Sequence, residues 1–91
     1  MDATKKKKLK SDAHHLNPVV MIGQAGLTAA VVAEIELALD AHELIKVKIR
    51  AERDERKEIT EEIRAATTAE LIQSIGQIIV LYRQYSSDKK M

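Results

Sequence analysis

The chain has 91 residues, 45% of them hydrophobic and 32% charged, with a formal net charge of +1. That composition fits one small folded domain, and the absence of Trp and Phe confines its core to Ile, Leu, Val and Ala. The lack of cysteine excludes disulfides and thiol chemistry. The longest apolar stretch, Ile78 to Tyr82, is too short to span a bilayer, and the N-terminal lysines precede no apolar signal segment. A cytoplasmic location is the expectation.

In chain order, Thr4 to His15 has the pattern of a short basic helix, with Leu9, Ala13 and Leu16 on one side. Pro18 is expected to end it, and Val19 to Ile22 reads as a buried strand. Thr28 is a good N-cap for a helix to about Ala41, with Val31, Ile35, Ala38 and Leu39 on one stripe. From Leu44 to Arg50 the alternation is strict, Ile45, Val47 and Ile49 against Lys46, Lys48 and Arg50, which predicts a half-buried strand. A third helix is predicted from Asp54 to about Ala66, burying Ile59, Ile63 and Ala66. A hairpin closes the pattern: Leu71 to Ile75 and Ile78 to Tyr82 around Gly76-Gln77, where a leading glycine suits a type II′ turn. The second of these strands is apolar on both faces and belongs in the sheet's interior. The fold class is therefore α+β in the order α-β-α-β-α-β-β. Residues 1–85 form a single domain and Ser86 to Met91 a polar tail.

Net charge conceals an uneven distribution. Lys5, Lys6, Lys7, Lys8 and Lys10 crowd the start, Lys46, Lys48 and Arg50 alternate in the middle, and acids gather from Glu52 to Glu62. Between the first strand and the second helix lies Gly23-Gln24-Ala25-Gly26. Glycines permit positive φ and close backbone approach, and the helix behind them begins with unpaired N–H groups and a positive dipole end. KH modules grip the backbone of single-stranded RNA with a GxxG loop of this kind. A plain tight turn would have the same four residues. On these residues alone both readings stay open.

Other features are bland. His14, His15 and His42 lack the companions of a metal site, and their simplest role is hydrogen bonding at helix ends. The charges of Arg53 to Arg64 read as a solvated helix face with i,i+4 pairs. Only Tyr82 and Tyr85 are available to stack on bases, so grip on backbone and shape should outweigh reading of sequence. No catalytic triad, P-loop lysine or paired carboxylate stands out. The expectation is a non-enzyme with no cofactor, no metal and no small-molecule substrate.

Leu9-Lys10, Ala13-His14, Leu16, Pro18-Val19-Val20, Ile22-Gly23, Gly26-Leu27-Thr28, Glu34-Ile35, Ala38-Leu39, His42 to Lys48, Ile75-Gly76 and Val80 to Arg83 together resemble the CRM domain (chloroplast RNA splicing and ribosome maturation). The similarity is to its stand-alone bacterial YhbY-type form and runs from about residue 5 to residue 83. It implies a fold similar to the C-terminal domain of translation initiation factor 3, a mixed four-stranded sheet with helices. It also implies RNA binding, with 23S rRNA in precursors of the large ribosomal subunit as the partner. The helix from Arg53 to Ala66 and the tail match least, and no functional residue is carried over from them. The expected RNA contacts are Gly23, Gln24, Ala25, Gly26, Thr28, Lys5 to Lys8, Lys10, Lys46 and Lys48, in a monomer with no membrane partner. The rival reading is a protein-interaction adaptor that uses the acidic third helix or a sheet edge.

Overall fold

A computed structural model describes residues 2–84; Tyr85 and the predicted tail lie outside the described residues. Seven elements follow the expected order: α1 (Ala3–Ala13), β1 (Pro18–Ile22), α2 (Ala29–His42), β2 (Leu44–Ile49), α3 (Arg53–Thr67), β3 (Glu70–Ile75) and β4 (Ile78–Tyr82). The strands form one mixed sheet in the order β1-β2-β4-β3. β1 runs parallel to β2, while β4 is antiparallel to both β2 and β3. The second strand–helix–strand unit does not make neighbours of β2 and β3. β4 inserts between them, because it alone is apolar enough on both faces to occupy that position.

Alternation in β2 divides the molecule into layers. Ile45, Val47 and Ile49 are sealed into the main core with Ile22, Ile79 and Leu81, under Ile35 and Leu39 of α2 and Ile59 and Ile63 of α3. On the opposite face Leu9 and Ala13 of α1 pack on Ile72 and Val80, with Leu16, Leu44 and Tyr82 around them. α1 is thus a light cover held by two buried side chains. It leaves Val19, Met21 and Ile75 half or more exposed.

Several boundaries differ from the sequence pattern for physical reasons. α1 stops at Ala13, so Pro18 opens β1 instead of ending the helix. A proline is tolerated there because β1 is an edge strand and Pro18 is its first residue. The edge position also means that β1 is half-buried, with only Val20 and Ile22 facing the core. On α3 the buried stripe runs Ile59, Ile63, Thr67, and Ala66 is exposed. Four-residue spacing selects Thr67, whose hydroxyl donates to the Ile63 carbonyl at 2.8 Å and so loses its polar penalty. The ion pair on α3 joins Glu61 and Arg64 at i,i+3 rather than i,i+4. Gly76 has φ +56° and Gln77 does not share the positive φ, in keeping with the type II′ hairpin.

α2 and α3 both end next to a non-glycine residue at positive φ, Glu43 (φ 63°) and Thr68 (φ 59°). Such a conformation costs about 1–2 kcal/mol per residue. Arg83, just past β4, ties both ends down. Its backbone N–H donates to the Glu43 carbonyl at 3.0 Å, and its Nη1 donates to the Thr67 carbonyl at 2.8 Å. The guanidinium also pairs with Glu36 and, at 3.0 Å, with Asp40. A cation here is favourable twice over, at the negative ends of two helix dipoles. Arg83→Ala should therefore lower stability by about 2 kcal/mol, after allowance for the solvent exposure of the two carboxylates. The melting temperature should fall by roughly 10 °C. Arg83→Lys, which keeps the charge but not the fork, should recover only part of this. A melt of either variant that matches wild type would show that the clamp contributes nothing.

Candidate nucleic-acid interface

The chain leaves the core at Ile22 and turns through Gly23-Gln24-Ala25-Gly26, where the Gly26 N–H donates to the Gly23 carbonyl at 3.0 Å. Thr28 then caps α2 as its sequence predicts. Its Oγ1 accepts from the Val31 N–H at 3.2 Å, and its carbonyl takes the first helical bond, from Val32. The N–H groups of Ala29 and Ala30 have no partner inside the helix and point out of its positive end. Gln24, Ala25 and Thr28 are all exposed.

The two loop glycines are not equivalent. Gly26 has φ +75°, so the turn itself demands a residue that tolerates the left-handed region. Gly23 has no positive φ, and a Cβ there would meet nothing within 4 Å. The fold gives no reason for glycine at position 23. A side chain would project into solvent, where it would obstruct another backbone approaching the loop.

Arg50, which the sequence-based site omits, is the cation that the fold brings to the loop. Its N–H donates to the Ile22 carbonyl at 2.9 Å, which fixes the end of β2 against the start of the loop. Arg50 and the hairpin residue Gln77 line one hollow with Gly23 and Gln24, of about 690 Å³. The signal was present in the alternation, since Arg50 continues the Lys46, Lys48 series beyond the strand. By strand rise, Lys48 lies about 7 Å and Lys46 about 13 Å back from it. The same hollow is also lined by Glu52 and Glu55. The acidic helix therefore does not stand apart from the loop; its N-cap Glu52 and first-turn Glu55 border it.

The N-terminal lysines divide. Lys10 shares a cavity wall with Lys46 on the α1 face of the sheet. Lys5 sits 5.0 Å above the Tyr82 ring, at the end of the sheet remote from the loop. Lys8 pairs with Asp12 at 3.3 Å, whereas Lys6 and Lys7 are exposed and enter none of the ion pairs among the described residues. Arg50 thus meets the loop at the end of β2, Lys48, Lys46 and Lys10 follow from there on the α1 face of the sheet, and Thr28 opens α2 over the opposite face. Tyr82, expected as a possible base-stacking ring, is instead half-buried beneath α1. The imidazoles of His14 and His42 make no hydrogen bond among the described residues; backbone N–H groups of His14 and Glu43 close those helix ends.

The comparisons agree with one another. Residues 1–83 match the CRS1 / YhbY (CRM) domain model. The chain is 55% identical over 83 residues to a Haemophilus influenzae protein named "RNA-binding protein", covering 89% of this chain and 84% of the relative. It is 46% identical over 86 residues to "Probable RNA-binding protein PA4753" of Pseudomonas aeruginosa, covering 93% and 83%. The solution structure of SAV1595 from Staphylococcus aureus superposes with a TM-score of 0.82 at 35% identity, over 100% of this chain and 96% of that one.

The unequal glycines yield a direct expectation. Gly26→Ala should destabilise the protein by about 1 kcal/mol or more, because alanine is strained at that φ. Gly23→Ala should be neutral, or stabilising by up to about 1 kcal/mol through the unfolded chain. Urea titrations of the two variants check this. An equal loss at both positions would contradict the distinction.

Proposed function

We propose that this chain, which belongs to the CRS1 / YhbY (CRM) domain family, is an RNA-binding protein that grips the sugar–phosphate backbone through its glycine loop and associates with 23S rRNA in precursors of the large ribosomal subunit. The observation that carries the backbone grip is Gly23, a glycine that the turn does not need, beside a capped helix N-terminus and Arg50. A phosphate at this place meets unpaired N–H groups, the helix dipole and a guanidinium. Lys48, Lys46, Lys10 and the outer lysines supply attraction along the strand without reading its sequence, and Glu52 and Glu55 steer the RNA away from α3. Support for RNA as the partner comes from the family and from the names of the relatives. The ribosomal target rests on family membership. On this reading the protein works in the cytoplasm as a monomer and without catalysis.

Replacing Gln24 and Ala25 together with Asp tests loop and target at once. Both residues are exposed, and carboxylates beside a helix N-terminus suit the free protein, so the melting temperature should not fall. Against RNA they repel the phosphate and occupy its amides. Affinity should drop about 100-fold, or roughly 2.8 kcal/mol. In a sucrose gradient at moderate salt, wild type should travel with large-subunit particles or their precursors and the variant should stay at the top. A folded variant that binds like wild type would reduce the loop to a turn. Wild type at the top of the gradient at every salt concentration would remove the ribosomal target and favour the adaptor.

A further inference from the structure

Beside α1 the sheet face holds a cavity of about 190 Å³, lined among others by Lys10, Lys46, Gln73, Ile75, Ile78 and Val80. Three properties distinguish it from a plain groove. No carboxylate is among its lining residues, although Asp and Glu make up 14 of the 91 residues. Sheet positions Val80 and Ile78 line it with apolar side chains, together with Ile75, which is 59% exposed although large and hydrophobic. The half-buried Gln73 pairs in register with Val80 on β4, and no hydrogen bond among the described residues engages its side-chain amide. An amide of that kind offers one acceptor and two donors side by side.

We propose that this cavity takes one unstacked nucleobase of the bound RNA, an inference that rests on the RNA-binding reading above. A base has an apolar face and a polar edge, and the cavity has an apolar lining and a Gln amide at its wall. Single-stranded RNA is read in this way, with splayed bases laid on a platform and hydrogen-bonded along their edges. The volume suits one planar ring and falls below the roughly 300 Å³ from which drug-sized pockets begin. Lys10 and Lys46 at the rim match the phosphates on either side of such a base. Lys46 is also on the line of cations that leads to the glycine loop. One strand can therefore place its backbone on the loop and a base in the cavity, whose Lys46 is about 13 Å by strand rise from Arg50. Phosphate grip alone explains neither the exposed Ile75 nor the free amide of Gln73. A negatively charged peptide would satisfy the lysines but would leave the amide and the apolar lining unused.

The test compares short oligomers of A, U and C with an abasic ribose-phosphate oligomer of equal length and charge. Binding is measured by fluorescence anisotropy at one salt concentration, with wild type, Gln73→Ala and Ile75→Ala. Neither substitution changes charge, and both sites are on the edge strand β3. Wild type should bind at least one base-bearing oligomer about tenfold more tightly than the abasic one. Gln73→Ala should erase differences among the three bases, and Ile75→Ala should weaken all three several-fold. Both variants should bind the abasic oligomer like wild type, which also reports that they are folded. Equal binding of base-bearing and abasic oligomers by wild type would overturn the base site and leave the backbone grip standing. Failure of wild type to bind any oligomer would overturn the RNA reading itself. A polyglutamate peptide that binds wild type but not Ile75→Ala, with RNA binding unaltered in both variants, would assign the cavity to a protein and overturn the proposal.

Discussion

The alternation of β2 is the constraint from which the rest of the structure follows. Ile45, Val47 and Ile49 are at most 1% exposed, so a one-residue slip would place three cationic side chains in the core. That cost fixes the register against β1 on one side and β4 on the other. The fixed register sets Ile22 beside Ile49, and the main chain after each strand then brings Arg50 to the glycine loop. The same alternation gives the opposite face its cations. Core packing and the electrostatic surface are two outcomes of one periodicity, which is why a single strand organises both.

Function on this account is concentrated where the fold leaves local choices unconstrained. Gly26 is explained by its own φ, and Thr28 by the cap it makes. Gly23, Gln24 and Arg50 are not explained by stability: one has room for a side chain, one is fully outward, and one is an exposed cation beyond a strand end. α1 follows the same logic. Two buried side chains hold it down, yet it carries five lysines, and it leaves part of the sheet uncovered next to Lys46. At the start of α3, Glu52 and Glu55 border the same hollow as the loop, and on the proposed reading they limit the side from which RNA approaches.

Most of the architecture was legible in the residues. Periodicity located all seven elements, and the two-sided apolar character of Ile78 to Tyr82 located β4 in the interior. Limits arose where the answer depended on partners distant in sequence. Val19 and Met21 look as apolar as Val20 and Ile22, and only the edge position of β1 exposes them. Ala66 and Thr67 are both small, and the angular position on α3 decided between them, with an intrahelical hydrogen bond masking the hydroxyl. Arg83 gave no local sign of its task, because its partners Glu36, Asp40 and Thr67 belong to other elements. At the site, the loop and its cap were readable from four residues and a threonine. The approach of Glu52 and Glu55 to that loop, and the contact of Lys5 with Tyr82, depend on packing that no local pattern encodes.

The central claim is that RNA lies along the glycine loop and the cations of β2, on the side away from α3. Backbone amide NMR during titration with a short single-stranded RNA tests it most directly. The account predicts the largest shifts at Gly23 to Ala30 and Arg50, continuing through Lys48 and Lys46 to Lys10, with the outer face of α3 around Glu58 and Glu62 unmoved. Shifts confined to α3 or to the Tyr82 end of the sheet, with the loop silent, would contradict it.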